Sequence, residues 1–321
     1  MELIIKPTGK CNFNCSFCSS NRIVTNEDTK HVHEKLLWLI DQIKPSRLLI
    51  NGGDPLIMDP DWYYEMYEKT EIPMSLTSNM KDFYLHPDKW SSLLNEEWMT
   101  IGTSFQYGNG RMWDPNTIYD EAMFIKVVEK FHKYIHHGTL PFIAVIDEHN
   151  EQFAMDHVML AKKLDTTVKM NNAIPVGKCD KWYPRYKMFQ MYISVIESGL
   201  EKYEANCSGR FYPSCPRNTF FQCNKCIRSC YVDINDQLHV SNCDEFLVQG
   251  IEYSTIGEIT GKDVPDKIRP SEYIKEECLS CSLCRLCNGC NLNRKYAKTD
   301  PKYCDEMKKL EDKICLHRWI L

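Results

Sequence analysis

Three cysteines, Cys11, Cys15 and Cys18, stand at C-x3-C-x2-C spacing within Lys10-Cys11-Asn12-Phe13-Asn14-Cys15-Ser16-Phe17-Cys18. As thiolates they can hold three corners of a cubic 4Fe–4S cluster and leave one iron without a protein ligand. Electron-transfer clusters use four cysteines and close every iron. An open iron can bind a small molecule. The competing readings are a zinc site short of its fourth ligand and a set of disulfides. The sequence starts Met1-Glu2-Leu3 with no signal-peptide pattern, and it has no apolar stretch of membrane length. Its 17 cysteines are therefore expected to ligate metal in a reducing cytoplasm rather than to pair.

The triplet has to be positioned by its neighbours, and the apolar run Leu3-Ile4-Ile5 just before it has the pattern of a first strand. Up to about residue 175, short apolar runs alternate with segments of helical period, the pattern of βα units around a parallel sheet. Leu36, Leu37, Ile40 and Ile43 mark a helix, and Leu48-Leu49-Ile50 a second strand. Trp62 to Glu68 is expected to be helical, Met74 to Thr77 a third strand and Met99 to Phe105 a fourth. The apolar face Phe124, Val127, Val128, Phe131 and Ile135 precedes a fifth strand, Phe142 to Ile146. Phe153 to Leu164 and Val168 to Met170 supply the next helix and a sixth strand; Tyr186 to Leu200 is a bridging helix.

The fold class expected is α/β, a partial (β/α)6 barrel of the TIM type with a C-terminal cysteine-rich iron–sulfur region. Eleven of the 17 cysteines lie from Cys215 to Cys304. The domains expected are residues 1–178 for the barrel, 179–222 for a bridging helix and linker, and 223–321 for the cysteine-rich part. A hydrophobic content of 43% is that of an ordinary globular chain, and a net charge of −5 argues against nucleic acid as a partner.

Asn51-Gly52-Gly53-Asp54-Pro55 follows the second strand directly. Glycines there allow positive φ and close backbone approach to a ligand, and a carboxylate or nearby carbonyl can accept from an ammonium. A strand-ending turn is the plainer reading of the same residues. Together, the triplet after strand one, Phe17 before its third cysteine and this Gly-Gly-Asp-Pro resemble the radical SAM superfamily. Its signature is CxxxCxxC, and its GGEP-type motif contacts the methionine amino group of S-adenosylmethionine (SAM). The resemblance makes Gly52, Gly53, Asp54 and Pro55 SAM contacts and puts Phe17 near the adenine. Thr77-Ser78-Asn79 resembles the family's T-N-G-like segment, and Ser104 its serine near the ribose; both also suit turns and caps. Where relatives often carry Asp, this chain has Gln106, whose amide cannot act as a base. Pro175 and Gly177 resemble the P-x-G near strand six.

The C-terminal array runs Cys278, Cys281, Cys284, Cys287, Cys290, then Cys304, with Cys223, Cys226, Cys230 and Cys243 upstream around a hairpin turning at Asn235-Asp236. It resembles the SPASM extension of radical SAM enzymes. The resemblance assigns one auxiliary cluster to Cys226, Cys230, Cys243 and Cys290, with Cys223 the alternative to Cys226. It assigns a second to Cys278, Cys281, Cys287 and Cys304. A register through Cys284 stays open, because Cys281, Cys284 and Cys290 fit the same spacing. Cys179, Cys207, Cys215 and Cys315 have no assigned role and default to free thiols. His136-His137, Trp38, the aromatics Trp62, Tyr63, Tyr64 and Tyr67, and Met188 and Met191 are read as helix-end or packing residues.

The resemblance implies three 4Fe–4S clusters, SAM, and an enzyme that forms a 5′-deoxyadenosyl radical to take hydrogen from a substrate. That substrate is expected to be a ribosomally synthesised peptide undergoing crosslinking, thioether formation or oxidation. The first strand begins at residue 3, so a leader peptide is expected to need a separate recognition protein or the barrel itself. A flavodoxin- or ferredoxin-type electron donor is the other partner expected; no membrane partner is. The alternatives are a sulfatase-maturase-like activating enzyme, a small-molecule dehydrogenase, and a non-catalytic iron–sulfur or zinc scaffold.

Overall fold

The apolar runs of the sequence become the strands of one sheet. The computed structural model describes residues 2–20, 23–175, 177–179, 182–208, 229–241, 254–255 and 300–313. The strands are β1 (Glu2–Thr8), β2 (Arg47–Gly52), β3 (Met74–Ser78), β4 (Met99–Ser104), β5 (Met112–Asp114), β6 (Thr117–Ile118), β7 (Phe142–Ile146) and β8 (Val168–Asn172). They are followed by β9 (Ser229–Val232), β10 (Leu238–Ser241) and β11 (Ser254–Thr255). Neighbours in the sheet run β11-β10-β9-β1-β2-β3-β4-β7-β8, while β5 and β6 form a separate hairpin. From β1 to β8 the pairing is parallel throughout. This is the open arc of a partial (β/α)6 barrel, with β8 and β11 at its edges.

Parallel register explains why these runs are so apolar. Leu3, Leu48, Met74 and Met99 form one row across four strands, and Ile5, Ile50, Leu76 and Ile101 the next. All eight are buried beneath the helices, and each fully buried side chain of this kind contributes about 1.5–3 kcal/mol. Lys6, Asn51, Thr77, Ser104 and Val145, out of step with those rows, line the inner face instead. Helix α1 (Glu34–Ile43) buries Leu36, Leu39, Ile40 and Ile43, and α2 (Pro60–Thr70) buries Trp62, Tyr63 and Met66. Tyr67 stacks on Trp98 at 4.2 Å. Asp59 caps α2 with Pro60 in the first turn, the N-terminal chemistry a helix favours.

Two helices, α3 (Lys81–Leu85) and α4 (Pro87–Leu94), fill the β3–β4 connection, where the sequence reading placed none. Both are short, so neither builds a long apolar period; α4 starts at Pro87 and buries Trp90, Leu93 and Leu94. Helix α5 (Glu121–Tyr134) is capped by Asp120, whose carboxylate accepts from Met123 N at 2.8 Å. It buries Phe124, Val127, Val128 and Phe131. Helices α6 (Ala154–Lys163) and α7 (Arg185–Glu197) follow, and α7 packs against the helix Tyr303–Lys309 through Phe189, Ile193, Tyr303 and Met307.

The C-terminal hairpin joins the barrel sheet itself. β9 pairs parallel with β1 (Ile4 opposite Ser229, Ile5 opposite Cys230), and β10 pairs antiparallel with β9. The turn lies where Asn235-Asp236 suggested. The Asp233 carboxylate accepts from Asn235 N at 2.8 Å and Gln237 N at 2.9 Å, and Asp236 adopts φ 60°. No helix among the described residues is long and apolar enough to cross a membrane.

His157 of α6 fastens the segment after β4. It is fully buried, its Nδ1–H donates to Phe153 O at 2.7 Å, and its Nε2 accepts from Tyr107 N at 3.0 Å. Burial lowers its pKa from 6.5 to about 4. The folded chain therefore keeps this imidazole neutral where the unfolded chain protonates it. Its contribution is complete above pH 6.5 and lost as pH falls from 6.5 towards 4. Urea unfolding at pH 7.5 and 5 should show wild type losing more stability over that interval than His157→Leu, by about 1–2 kcal/mol.

Candidate active site

The cysteine loop leaves β1 under several constraints. Thr8 Oγ1 accepts from Lys10 N at 3.0 Å, and Gly9 N donates to Thr25 Oγ1 at 3.0 Å. Phe13, midway between Cys11 and Cys15, turns into an aromatic cluster, 5.6 Å from Trp113 and 5.1 Å from Tyr119 between ring centroids. One apolar anchor in a polar loop thus directs its cysteines to the other side. Cys11 Sγ accepts from Phe13 N at 3.4 Å and from Asn79 Nδ2 at 3.5 Å. Beyond β8, Lys178 N donates to Cys18 O at 2.9 Å, and its ammonium reaches Asn14 Oδ1 at 2.6 Å.

The glycine loop is stapled to the cysteine loop through its backbone. Gly53 N donates to Thr8 O and Asp54 N to Lys10 O, both at 2.8 Å. Gly52 sits at φ +125°, which side chains rarely adopt, and a Cβ on Gly53 would lie 1.9 Å from Lys10 O. Asp54 is buried and its carboxylate is already engaged. Oδ1 accepts from Leu56 N and Ser78 Oγ, both at 2.9 Å; Oδ2 accepts from Asn79 N at 2.7 Å. Burial raises its pKa to about 6 against the pull of those donors, and the carboxyl is a bracket joining β2's end to β3's end. Pro55 is buried beneath it and its carbonyl accepts from Tyr63 OH at 2.7 Å.

A third wall comes from the excursion between β4 and α5, which sequence reasoning did not single out. Ser16 N donates to Gly110 O at 3.0 Å, and Arg111 extends over the cysteine loop. Its guanidinium donates to Ser104 Oγ at 2.9 Å, contacts Cys15 Sγ at 3.8 Å and lies 5.0 Å from the Phe17 ring. Its local sequence, Gly108-Asn109-Gly110-Arg111, looks like an exposed turn; only tertiary packing buries it. Gln106 is buried and accepts from Val145 N at 3.2 Å, which fixes its amide to β7.

One cavity of about 320 Å³ gathers these parts. Its wall includes Cys11, Cys15, Cys18 and Phe17 from the cysteine loop, Gly52, Gly53 and Asp54 after β2, and Thr77, Ser78, Asn79 and Ser104 from β3 and β4. Pro55 stands behind it. Lys6, Asn51, Arg111 and Asn172 are polar wall residues that the sequence reading did not assign. Cys230 is buried in β9, and Cys304 is exposed in the first turn of Tyr303–Lys309. Cys226, Cys243, Cys278, Cys281, Cys287 and Cys290, with the alternatives Cys223 and Cys284, lie outside the described residues.

The donor set suits an iron–sulfur cluster. Cys11 faces the cavity, and desolvation by its walls, followed by the Asp54 carboxylate, pushes its thiol up to about 12. Burial also raises Cys15, opposed by the Arg111 guanidinium. Such thiols become thiolates readily only when a cation takes the proton's place, as metal ligation does. Among the described residues, no three His, Cys, Asp or Glu side chains converge as a single metal ion requires.

Residues 5–161 match the family model described as the radical SAM superfamily. No curated protein sequence matches the chain. Among solved structures, native anSMEcpe with bound AdoMet and Cp18Cys peptide is similar over 97% of this chain and 96% of its own, at 17% identity and a TM-score of 0.66. At that identity the likeness is one of fold.

The staple between the two loops gives a direct expectation. Gly53→Ala forces the Lys10 carbonyl away and should destabilise the chain by about 1–3 kcal/mol. Iron bound on reconstitution should fall with it, measured by thermal melting and iron analysis; unchanged values for both would remove the staple from the site's design.

Proposed function

Taking residues 5–161 as a radical SAM domain, we propose that this chain is an oxidoreductase that cleaves SAM and takes hydrogen from a ribosomally synthesised peptide. The observation that carries this reading is the single cavity onto which the cysteine triplet, Gly52-Gly53-Asp54, Thr77-Ser78-Asn79, Ser104 and Phe17 converge from separate elements. Cys11, Cys15 and Cys18 would hold the cluster. The Gly52-Gly53 backbone would meet the methionine end of SAM, with Ser104 on the ribose and Phe17 beside the adenine. When bound, cluster and SAM supply a one-electron reductive cleavage to methionine and a 5′-deoxyadenosyl radical.

What the chain adds is position. The staple and the Asp54 bracket hold two loops in one geometry, and inward strand ends carrying Lys6, Asn51 and Asn172 offer polar contacts to a substrate. A peptide substrate is supported by the fold neighbour, whose structure holds a peptide, and by the polar inner wall. Two auxiliary clusters on Cys226, Cys230, Cys243 and Cys290, and on Cys278, Cys281, Cys287 and Cys304, would take up the electron left on the substrate. A flavodoxin- or ferredoxin-type donor, a separate leader-recognition protein and a cytoplasmic location complete the proposal.

With dithionite and SAM, reconstituted wild-type protein should release 5′-deoxyadenosine, and Cys15→Ala should reduce release to background. Equal release from the two proteins would sink the assignment. Mass spectrometry of a co-expressed, genomically neighbouring peptide then tests the substrate class: a mass change dependent on intact Cys15 is expected.

A further inference from the structure

Among the described residues, Arg111 is a buried cation without a carboxylate partner. The residue is 6% exposed, and its Nε is buried with no hydrogen-bond partner among the described residues. The guanidinium donates to the neutral hydroxyl of Ser104, lies against the Phe17 ring and reaches Cys15 Sγ at 3.8 Å. No carboxylate among the described residues pairs with it. Leaving a guanidinium in this state is costly unless an anion belongs beside it. The atom within its reach that becomes anionic on metal ligation is the Cys15 sulfur.

We propose that Arg111 raises the reduction potential of the cluster held by Cys11, Cys15 and Cys18, acting through the Cys15 sulfur. The inference rests on the cluster assignment made above. Reduction adds one electron, from a flavodoxin- or ferredoxin-type donor or from dithionite, and breaks or forms no bond. The cluster with its thiolates becomes more negative by one charge, so a fixed positive charge on the rim stabilises the reduced form more than the oxidised one. Arg111 itself is buried, which strengthens that difference. Hydrogen bonds to ligand sulfur act in the same direction, drawing electron density from iron.

The three cysteines are not equivalent in this respect. Cys11 Sγ receives neutral donors, Phe13 N and Asn79 Nδ2. Cys15 Sγ receives the charged one. Of the other cations near the loop, Lys178 donates to Asn14 Oδ1, Lys81 to Asn12 O, and Lys10 pairs with Glu27, while Lys178 acts on Cys15 only at longer range. Arg111 is thus a positioning and tuning residue, distinct from the ligands, and its effect exists before SAM binds.

The test is an EPR-monitored reductive series on anaerobically reconstituted full-length protein without SAM. The cluster's signal is identified by its loss in a Cys11→Ala/Cys15→Ala/Cys18→Ala triple variant; a triple variant that keeps every signal overturns the cluster assignment itself. With that signal in hand, Arg111→Gln at full iron and sulfide content should require a more negative potential for half reduction than wild type. Arg111→Lys, which keeps the charge, should fall between. An unmoved midpoint in Arg111→Gln overturns the inference, and loss of SAM affinity in that same protein would assign Arg111 to the SAM carboxylate instead. Should Arg111→Gln fail to hold the cluster, wild-type protein labelled with 15N in arginine side chains decides. A 15N hyperfine coupling to the reduced cluster supports the contact, and its absence rejects it.

Discussion

The site depends on how closely two loops approach each other. The chain leaving β1 and the chain leaving β2 touch backbone to backbone, with Gly53 and Asp54 amides on the Thr8 and Lys10 carbonyls. No side chain fits between them at position 53. That contact places the three cysteines opposite the glycine loop, and Asp54 extends it by binding Ser78 and the Asn79 amide at the end of β3. Three neighbouring strand ends are thereby fixed together. The parallel sheet sets their spacing, and the buried rows of Leu, Ile and Met beneath the helices keep that sheet in register.

Asp54 shows how one residue type serves two arguments. From the sequence, a carboxylate after two glycines is a natural acceptor for an ammonium. In the structure its oxygens already receive donors from Leu56, Ser78 and Asn79. Its hydrogen-bonding capacity is spent on architecture. The acid is nevertheless needed, because a buried loop crossing between two strands must satisfy its amides somewhere.

Much of the barrel was legible because its strands carry uniform apolar runs. Phe142–Ile146 matches its predicted span residue for residue, and β2, β3, β4 and β8 differ from theirs only at the ends. The hairpin was legible from Asn235-Asp236, since αL-tolerant residues mark a turn whatever the strands pack against. What the hairpin packs against was not: nothing in Ser229–Val232 announces that it will lie beside β1. The helices α3 and α4 escaped because each is about two turns or less, too short for periodicity to register. Arg111 escaped for a different reason. A charged residue just after two closely spaced glycines looks solvated, and its burial is decided by Phe17, Ser104 and Cys15, residues that lie up to about a hundred positions away.

The pairing of β9 with β1 joins residues about 225 positions apart, Ile5 and Cys230. During synthesis at about 5–20 residues per second, the strand that carries the cysteine loop waits on the order of ten to fifty seconds for that neighbour. Through that interval one side of β1 is an open edge, a template for wrong partners. Iron delivered early to the proposed site would meet a loop held on one flank only; delivered late, it would meet the loop with β9 in place. The order in which metal and β9 would arrive is thus a kinetic choice written into the topology.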